Sequence, residues 1–274
     1  MKTRILTAAV GIPAIIALVF FAPLWAIGIM MGLLCAGAAF EFIRCVAPNF
    51  KGRPALWPML SGFVMPFWLS VRGEGASLYT LGYWLFFVLF LEMVLSYSGK
   101  SPLGLSQLMA GLTAGMVMPI LLSAVVRIGL RGDCGRVNLM LPFVISFSCD
   151  GGAFFTGHAI GKHPMAPVLS PHKTMEGGIG GLICAMLGAV LYGLVLSGKG
   201  YTVSYGLLLL YGFGGGIACE LGDLSFSAVK RVCGIKDYGK IIPGHGGVLD
   251  RFDSMYFTAP LLEILTFWLP AIAR

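Results

Sequence analysis

The sequence predicts an all-α polytopic integral membrane protein of about nine transmembrane helices. Three observations predict it. Of 274 residues, 57% are hydrophobic and only 11% charged, whereas soluble domains run about 25% charged. The mean hydropathy is +0.87. Nine apolar stretches follow one another with short polar connections, at roughly 5–22, 24–43, 57–71, 77–96, 106–128, 137–160, 177–198, 203–224 and 254–270. Each approaches the ~20 residues that a helix needs to cross the hydrocarbon core. This excludes a soluble enzyme, a disordered chain and a disulfide framework.

Taken in order, the first stretch follows Met1, Lys2, Thr3 and Arg4 in the manner of a signal peptide. Further apolar segments come at once, so a retained first span is expected. Pro23 separates it from the second stretch and makes either a tight hairpin or one broken helix, which leaves the count at eight or nine. About five spans make up an N-terminal region, residues 1–130. The remainder, 131–274, is the expected catalytic region, with polar loops at 161–176 and 225–253. The cysteines Cys35, Cys45, Cys134, Cys149, Cys184, Cys219 and Cys233 are scattered singly, so neither a metal knuckle nor a redox pair is indicated.

Charge sets the orientation. With nine spans, one side carries thirteen basic residues: Lys2, Arg4, Arg44, Lys51, Arg53, Lys100, Lys162, Lys173, Lys230, Arg231, Lys236, Lys240 and Arg251. The other carries six: Arg72, Arg127, Arg131, Arg136, Lys199 and Arg274. The excess of Lys and Arg places the N-terminus and both polar loops in the cytoplasm. The net charge of +7 suits an anionic lipid surface or a phosphorylated substrate. Nucleic acid fits poorly with a chain mostly inside lipid.

The polar residues concentrate after residue 145. Asp150 lies within an apolar run about eleven residues before the loop at 161, or roughly 16 Å along a helix. A carboxylate there must be paired, metal-bound or facing water. The next segment, Ser170 to Gly178, holds Lys173, a hydroxyl at Thr174 and a helix start at Glu176, the elements of a phosphate seat. Neither G-x-x-x-x-G-K-[ST] nor G-x-G-x-x-G occurs, so P-loop and Rossmann mechanics do not apply. His158, His163 and His172 lack the Cys or carboxylate that would complete a zinc site and read as solvated loop histidines.

The eighth stretch is the most informative. Glu220, Asp223, Ser227 and Lys230 are spaced three, four and three apart and share one helix stripe. Acids in an apolar segment would face lipid unless they line a polar site. A basic, glycine-rich loop follows, then Asp250 and Asp253, three apart and so expected on one helix face. Carboxylates gathered from neighbouring helices repel one another unless cations sit among them. Ligation by oxygen alone favours Mg²⁺ or a similar hard cation. Acids for metal, with bases and glycines for phosphates beside them, are what a membrane enzyme handling a nucleotide or pyrophosphate needs.

The stretch from Ser227 to Asp253 resembles, without a gap, the signature of phosphatidate cytidylyltransferases, S-x-x-K-R-x4-K-D-x-G-x2-[IL]-P-G-H-G-G-[IVLF]-x-D-R-x-D, agreeing at fourteen or more specified positions. Upstream, Ser170 to Gly177 looks like the S-P-x-K-T-x-E-G segment of that family, and Asp150 with Ala153 like its D-x-x-A element. The resemblance is close over 140–270, while the first 130 residues match only as apolar spans. Where the family often has D-T-x-A-Y, this chain has Gly151 and Phe154, without that hydroxyl and phenol.

The resemblance implies conversion of CTP and phosphatidate to CDP-diacylglycerol and diphosphate. It further implies Mg²⁺, with a second cation such as K⁺ as a candidate, at a centre held by Asp223 and Asp250 and backed by Asp150 and Asp253. Lys230, Arg231 and His245 join Asp223 and Asp250 as catalytic candidates. Ser170, Lys173, Thr174, Ser227, Lys236, Gly246, Gly247 and Arg251 are candidates for binding substrate, and Gly244 lets the backbone approach phosphate. A homodimer in a bacterial-type inner membrane is implied as well. An alternative within the same chemistry is transfer to another membrane lipid phosphate, such as an isoprenoid one. The pattern D-x2-D-G-x2-A-R-x8-G-x3-D-x3-D of CDP-alcohol phosphotransferases is absent. An ion-coupled transporter is disfavoured because the halves show no repeat and the polar residues sit at one boundary.

Overall fold

A computed structural model describes residues 13–75, 77–97, 99, 102–239 and 246–274. It is an all-α polytopic membrane protein: seven of its helices are long and apolar enough to cross a membrane. These are α1 (Leu24–Val46), α2 (Arg53–Arg72), α3 (Ser77–Ser96), α4 (Leu105–Gly129), α5 (Gly135–Ile160), α6 (Met175–Ser197) and α7 (Tyr205–Val232). Two of the nine predicted stretches fall outside this set. The first is helical over 13–21, and its residues 5–12 lie outside the described residues. The chain leaves helical conformation at Ala22, and extended Pro23 caps α1, so the two segments are separate helices. The ninth stretch divides into a short helix, α8 (Leu249–Phe252), and the 14-residue α9 (Met255–Trp268). At 1.5 Å per residue α9 is about 21 Å long, less than the ~30 Å hydrocarbon core.

The chain packs as two compact units. The first comprises Met1–Arg127 with Val232–Phe252, so the segment after α7 joins the N-terminal helices. Within it α1 and α2 pack closely because glycine lines their contact. A Cβ on Gly32 would come 2.5 Å from the Phe63 carbonyl oxygen, too near for any side chain. Polar groups are tied across the same unit. Glu92 on α3 accepts from Arg53 Nη2 and Trp57 Nε1, both at 3.0 Å, and Ser61 donates to the Gly115 carbonyl at 2.8 Å. Gly115 lies in a π-helical turn, Thr113–Val117, that interrupts α4 and leaves a carbonyl open to an outside donor.

The second unit comprises Ile128–Arg231 with Asp253–Arg274. Here α5 and α6 form the closest pair, joined by a loop that folds into an antiparallel hairpin of β1 (Pro164–Ala166) and β2 (Ser170–Thr174). A two-stranded hairpin is marginal in isolation. This one is tied to the start of α6: Glu176 Oε2 accepts from the backbone N–H of Lys162 and His163 at 3.1 and 3.2 Å. Thr174 caps α6 by accepting from the Gly177 amide, worth about 1 kcal/mol. A second antiparallel pair, β3 (Thr202–Val203) with β4 (Ile272–Ala273), fastens the last residues beside the start of α7.

Candidate active site

Hairpin and helix meet at Lys173. Strand β2 carries it toward α7, where its ammonium lies 2.6 Å from Glu220 Oε2 and 2.7 Å from Asp223 Oδ2. Glu220 and Asp223 are one helical turn apart, which lets one cation engage both. Burial alone would lower the Lys173 pKa. The charges of Asp223 and Glu220 outweigh it and hold the ammonium well above the usual lysine range. One turn further on, Ser227 Oγ donates to Asp223 Oδ1 at 3.4 Å. Lys230, on the same stripe, is buried. Arg231 is exposed and its Nε donates to the Leu169 carbonyl at 3.1 Å, linking the end of α7 to the hairpin.

Two further acids belong to this unit. Asp150 on α5 accepts from Cys219 Sγ at 3.3 Å and experiences the charges of Asp223, Lys173 and Glu220. Asp253 is buried; its Oδ1 accepts from the Ser254 amide at 2.8 Å, and it experiences Asp223, Lys230 and Asp150. Asp150, Glu220, Asp223 and Asp253 therefore share one electrostatic neighbourhood with Lys173 and Lys230. Four carboxyl groups stand beside two ammonium groups, and every donor among the four is an oxygen. That chemistry fits a hard divalent cation. Among the described residues, no three His, Cys, Asp or Glu side chains converge on a common point as a ready cage, and the Lys173 ammonium takes the place of a cation between Glu220 and Asp223.

The first unit holds the rest of the signature. Asp250 Oδ2 accepts from the amides of Tyr238 at 2.9 Å and Gly247 at 3.0 Å, so one carboxylate oxygen pins both stems of the glycine-rich loop. Gly246 takes φ +87°, left-handed backbone that glycine enters without penalty. The Gly247 amide, a candidate for crowding against phosphate, is thus donated to Asp250. Lys236 and Arg251 are exposed. Gly244, His245 and Lys240 lie outside the described residues, as do Lys2, Arg4 and Lys100.

One expectation is corrected. Asp250 and Asp253 were to share a helix face, but α8 ends at Phe252 and Asp253 stands in the turn before α9. Ser254 starts α9 afresh, so the three-residue spacing is not a helical one. The histidine loop differs in detail too. His163 is exposed but its Nδ1 lies 2.5 Å from Glu176 Oε1, held by the same carboxylate that ties the hairpin. Sequence reasoning missed Glu41, which accepts from the Val248 and Leu249 amides at 3.0 and 2.8 Å, and Glu92. Both had a readable signal, an ionisable residue within an apolar stretch.

A family model described as "Cytidylyltransferase family" matches residues 2–269. A protein of Staphylococcus haemolyticus named phosphatidate cytidylyltransferase is 44% identical over 135 residues, 49% of this chain and 50% of the relative. Proteins of the same name from Staphylococcus saprophyticus and Staphylococcus aureus are 42% identical over 131 residues and 44% over 133, covering 48% of this chain and 49% of each relative. The chain thus spans about half the length of the curated relatives it matches.

Proposed function

We propose, from the premise that the chain belongs to the cytidylyltransferase family, that it is a phosphatidate cytidylyltransferase, joining CTP and phosphatidate into CDP-diacylglycerol and diphosphate. The observation that carries this reading is the Lys173 ammonium held between Glu220 and Asp223 at 2.6 and 2.7 Å, at the hairpin where the chain leaves its apolar helices. It supplies a fixed cation and a carboxylate pair where a lipid phosphate and a nucleotide triphosphate would meet.

A phosphatidate oxygen attacks the α-phosphorus of CTP. A new P–O bond forms, the α–β bridging P–O bond breaks, and diphosphate leaves with the electron pair. The attacking monoester is already anionic near neutral pH, so no strong general base is required. The protein's task is alignment and charge neutralisation. Lys173, Lys230, Arg231 and Lys236 neutralise the triphosphate and the lipid headgroup. Ser170, Thr174, Ser227 and Arg251 hold polar atoms of the substrates, Gly246 gives the loop its turn, and His245 either orients the loop or donates to the leaving group. Mg²⁺, with K⁺ as a candidate second cation, would be held by Asp223 and Asp250 with Asp150 and Asp253 in support, and when bound it supplies further neutralisation of phosphate charge. The enzyme works as a homodimer in a bacterial-type inner membrane, with its N-terminus and the 161–176 and 225–253 loops cytoplasmic.

Detergent-solubilised protein given radiolabelled CTP, Mg²⁺ and a panel of lipid phosphates tests this. Label passing into lipid with phosphatidate as the preferred acceptor is the expected result. Preference for an isoprenoid phosphate would reassign the acceptor. No labelled lipid with any acceptor would overturn the reading, since a transferase, unlike a transporter, needs no sealed vesicle.

A further inference from the structure

Glu41 is an acid in an apolar helix, 1% exposed, and lies more than two hundred residues from the groups it binds. Each of its carboxylate oxygens accepts one backbone N–H: Oε1 from Val248 at 3.0 Å and Oε2 from Leu249 at 2.8 Å. These are the two residues immediately before Asp250, at the start of α8. The residue before four-residue α8 is Val248, whose side chain cannot accept a hydrogen bond, and a helix start leaves amides that must find acceptors. Glu41 supplies them from α1. Two glycines make room for it: a Cβ on Gly247 would overlap both carboxylate oxygens, and one on Gly239 would meet Oε1. Asp250 in turn holds the amides of Tyr238 and Gly247. The two carboxylates thus hold three successive amides, Gly247 by Asp250 and Val248 and Leu249 by Glu41, while Asp250 also holds that of Tyr238.

We infer that Glu41 is a positioning residue, a remote carboxylate that locks the Val248–Leu249 backbone to α1 and thereby sets where Asp250 stands. What the lock is for rests on the cytidylyltransferase reading; that the lock exists does not. Glu41→Gln is nearly isosteric but can offer only one accepting oxygen, and its NH₂ faces the second amide donor to donor. Glu41→Ala removes both acceptors.

Hydrogen exchange and steady-state kinetics on the purified full chain test the inference. In Glu41→Gln, amide exchange across residues 246–252 should quicken about tenfold while exchange in α5 and α6 is unchanged. The kcat of CTP transfer should fall about tenfold, with KM for CTP moving less than about threefold, because a misplaced Asp250 harms alignment more than binding. Glu41→Asp, which keeps both oxygens on a shorter stem, should recover part of the loss. If Glu41→Ala fails to fold, the Gln and Asp variants carry the test. Unchanged exchange at 246–252 in Glu41→Gln overturns the lock. Loosened exchange with an unaltered kcat overturns its catalytic purpose. Wild-type protein without transfer activity would instead sink the functional reading and leave the exchange result to judge the lock.

Discussion

Lys173 and Asp223 form an ion pair at 2.7 Å between a hairpin strand and a 28-residue helix, and Glu220 shares the same ammonium at 2.6 Å. The pair explains why two acids are tolerated in an apolar helix. The cation that offsets them comes from a loop that follows them in space but precedes them by about fifty residues in sequence.

Lys173→Met leaves Glu220 and Asp223 without that cation, and like charges one turn apart destabilise the helix. A stability loss of about 1–3 kcal/mol is expected, together with a raised KM for CTP at near-normal membrane abundance. Thermal melting in detergent checks it, and added Mg²⁺ should restore part of the loss if these acids bind divalent cations. Because the folded pKa of Lys173 is raised, its contribution is fully present below the unfolded lysine value of about 10.4 and is lost as pH rises through the folded value. The melting difference between wild type and Lys173→Met should therefore hold constant from pH 7 to about 10. A difference that closes between pH 7 and 9 would contradict the ion pair.

Asp223→Asn and Asp250→Asn keep the shape of each side chain and remove its charge. An Asn at 250 retains an oxygen for the Tyr238 and Gly247 amides, so the loop should survive. Turnover should fall by about 10²–10³-fold or more in each variant with normal membrane insertion. Purified variants that make CDP-diacylglycerol at near wild-type rates would show that neither acid takes part in turnover.

Gly32→Val should disrupt the α1–α2 contact, since its branched side chain would push directly into the Phe63 carbonyl. A cost of about 1–3 kcal/mol or more is expected from such overpacking. Gly206→Ala is the control: nothing lies within 4 Å of its Cβ position, so it should stay within about 1 kcal/mol of wild type. Melting curves and the yield of monodisperse protein in detergent distinguish the two. Equal behaviour would mean the helices do not approach as closely as Gly32 allows.

The sequence by itself determined the architecture and the chemical inventory. Long apolar runs can satisfy their backbone in lipid only as helices, so the spans are readable from hydropathy, and the density of Asp, Lys and Gly after residue 145 marks the candidate site. The stripe of Glu220, Asp223, Ser227 and Lys230 was equally legible, because helical periodicity is a local property. What it did not determine is which groups meet. Lys173 reaches Glu220 and Asp223 only because a hairpin forms between α5 and α6, and two short strands leave little periodic signal. Asp250 and Asp253 looked like helical neighbours until the chain turned between them. Glu41 was missed in the sequence because its partners are two amides more than two hundred residues away. Tertiary structure decided these because a buried polar group takes whatever partner the packing of distant segments delivers, and that packing leaves no spacing in the sequence.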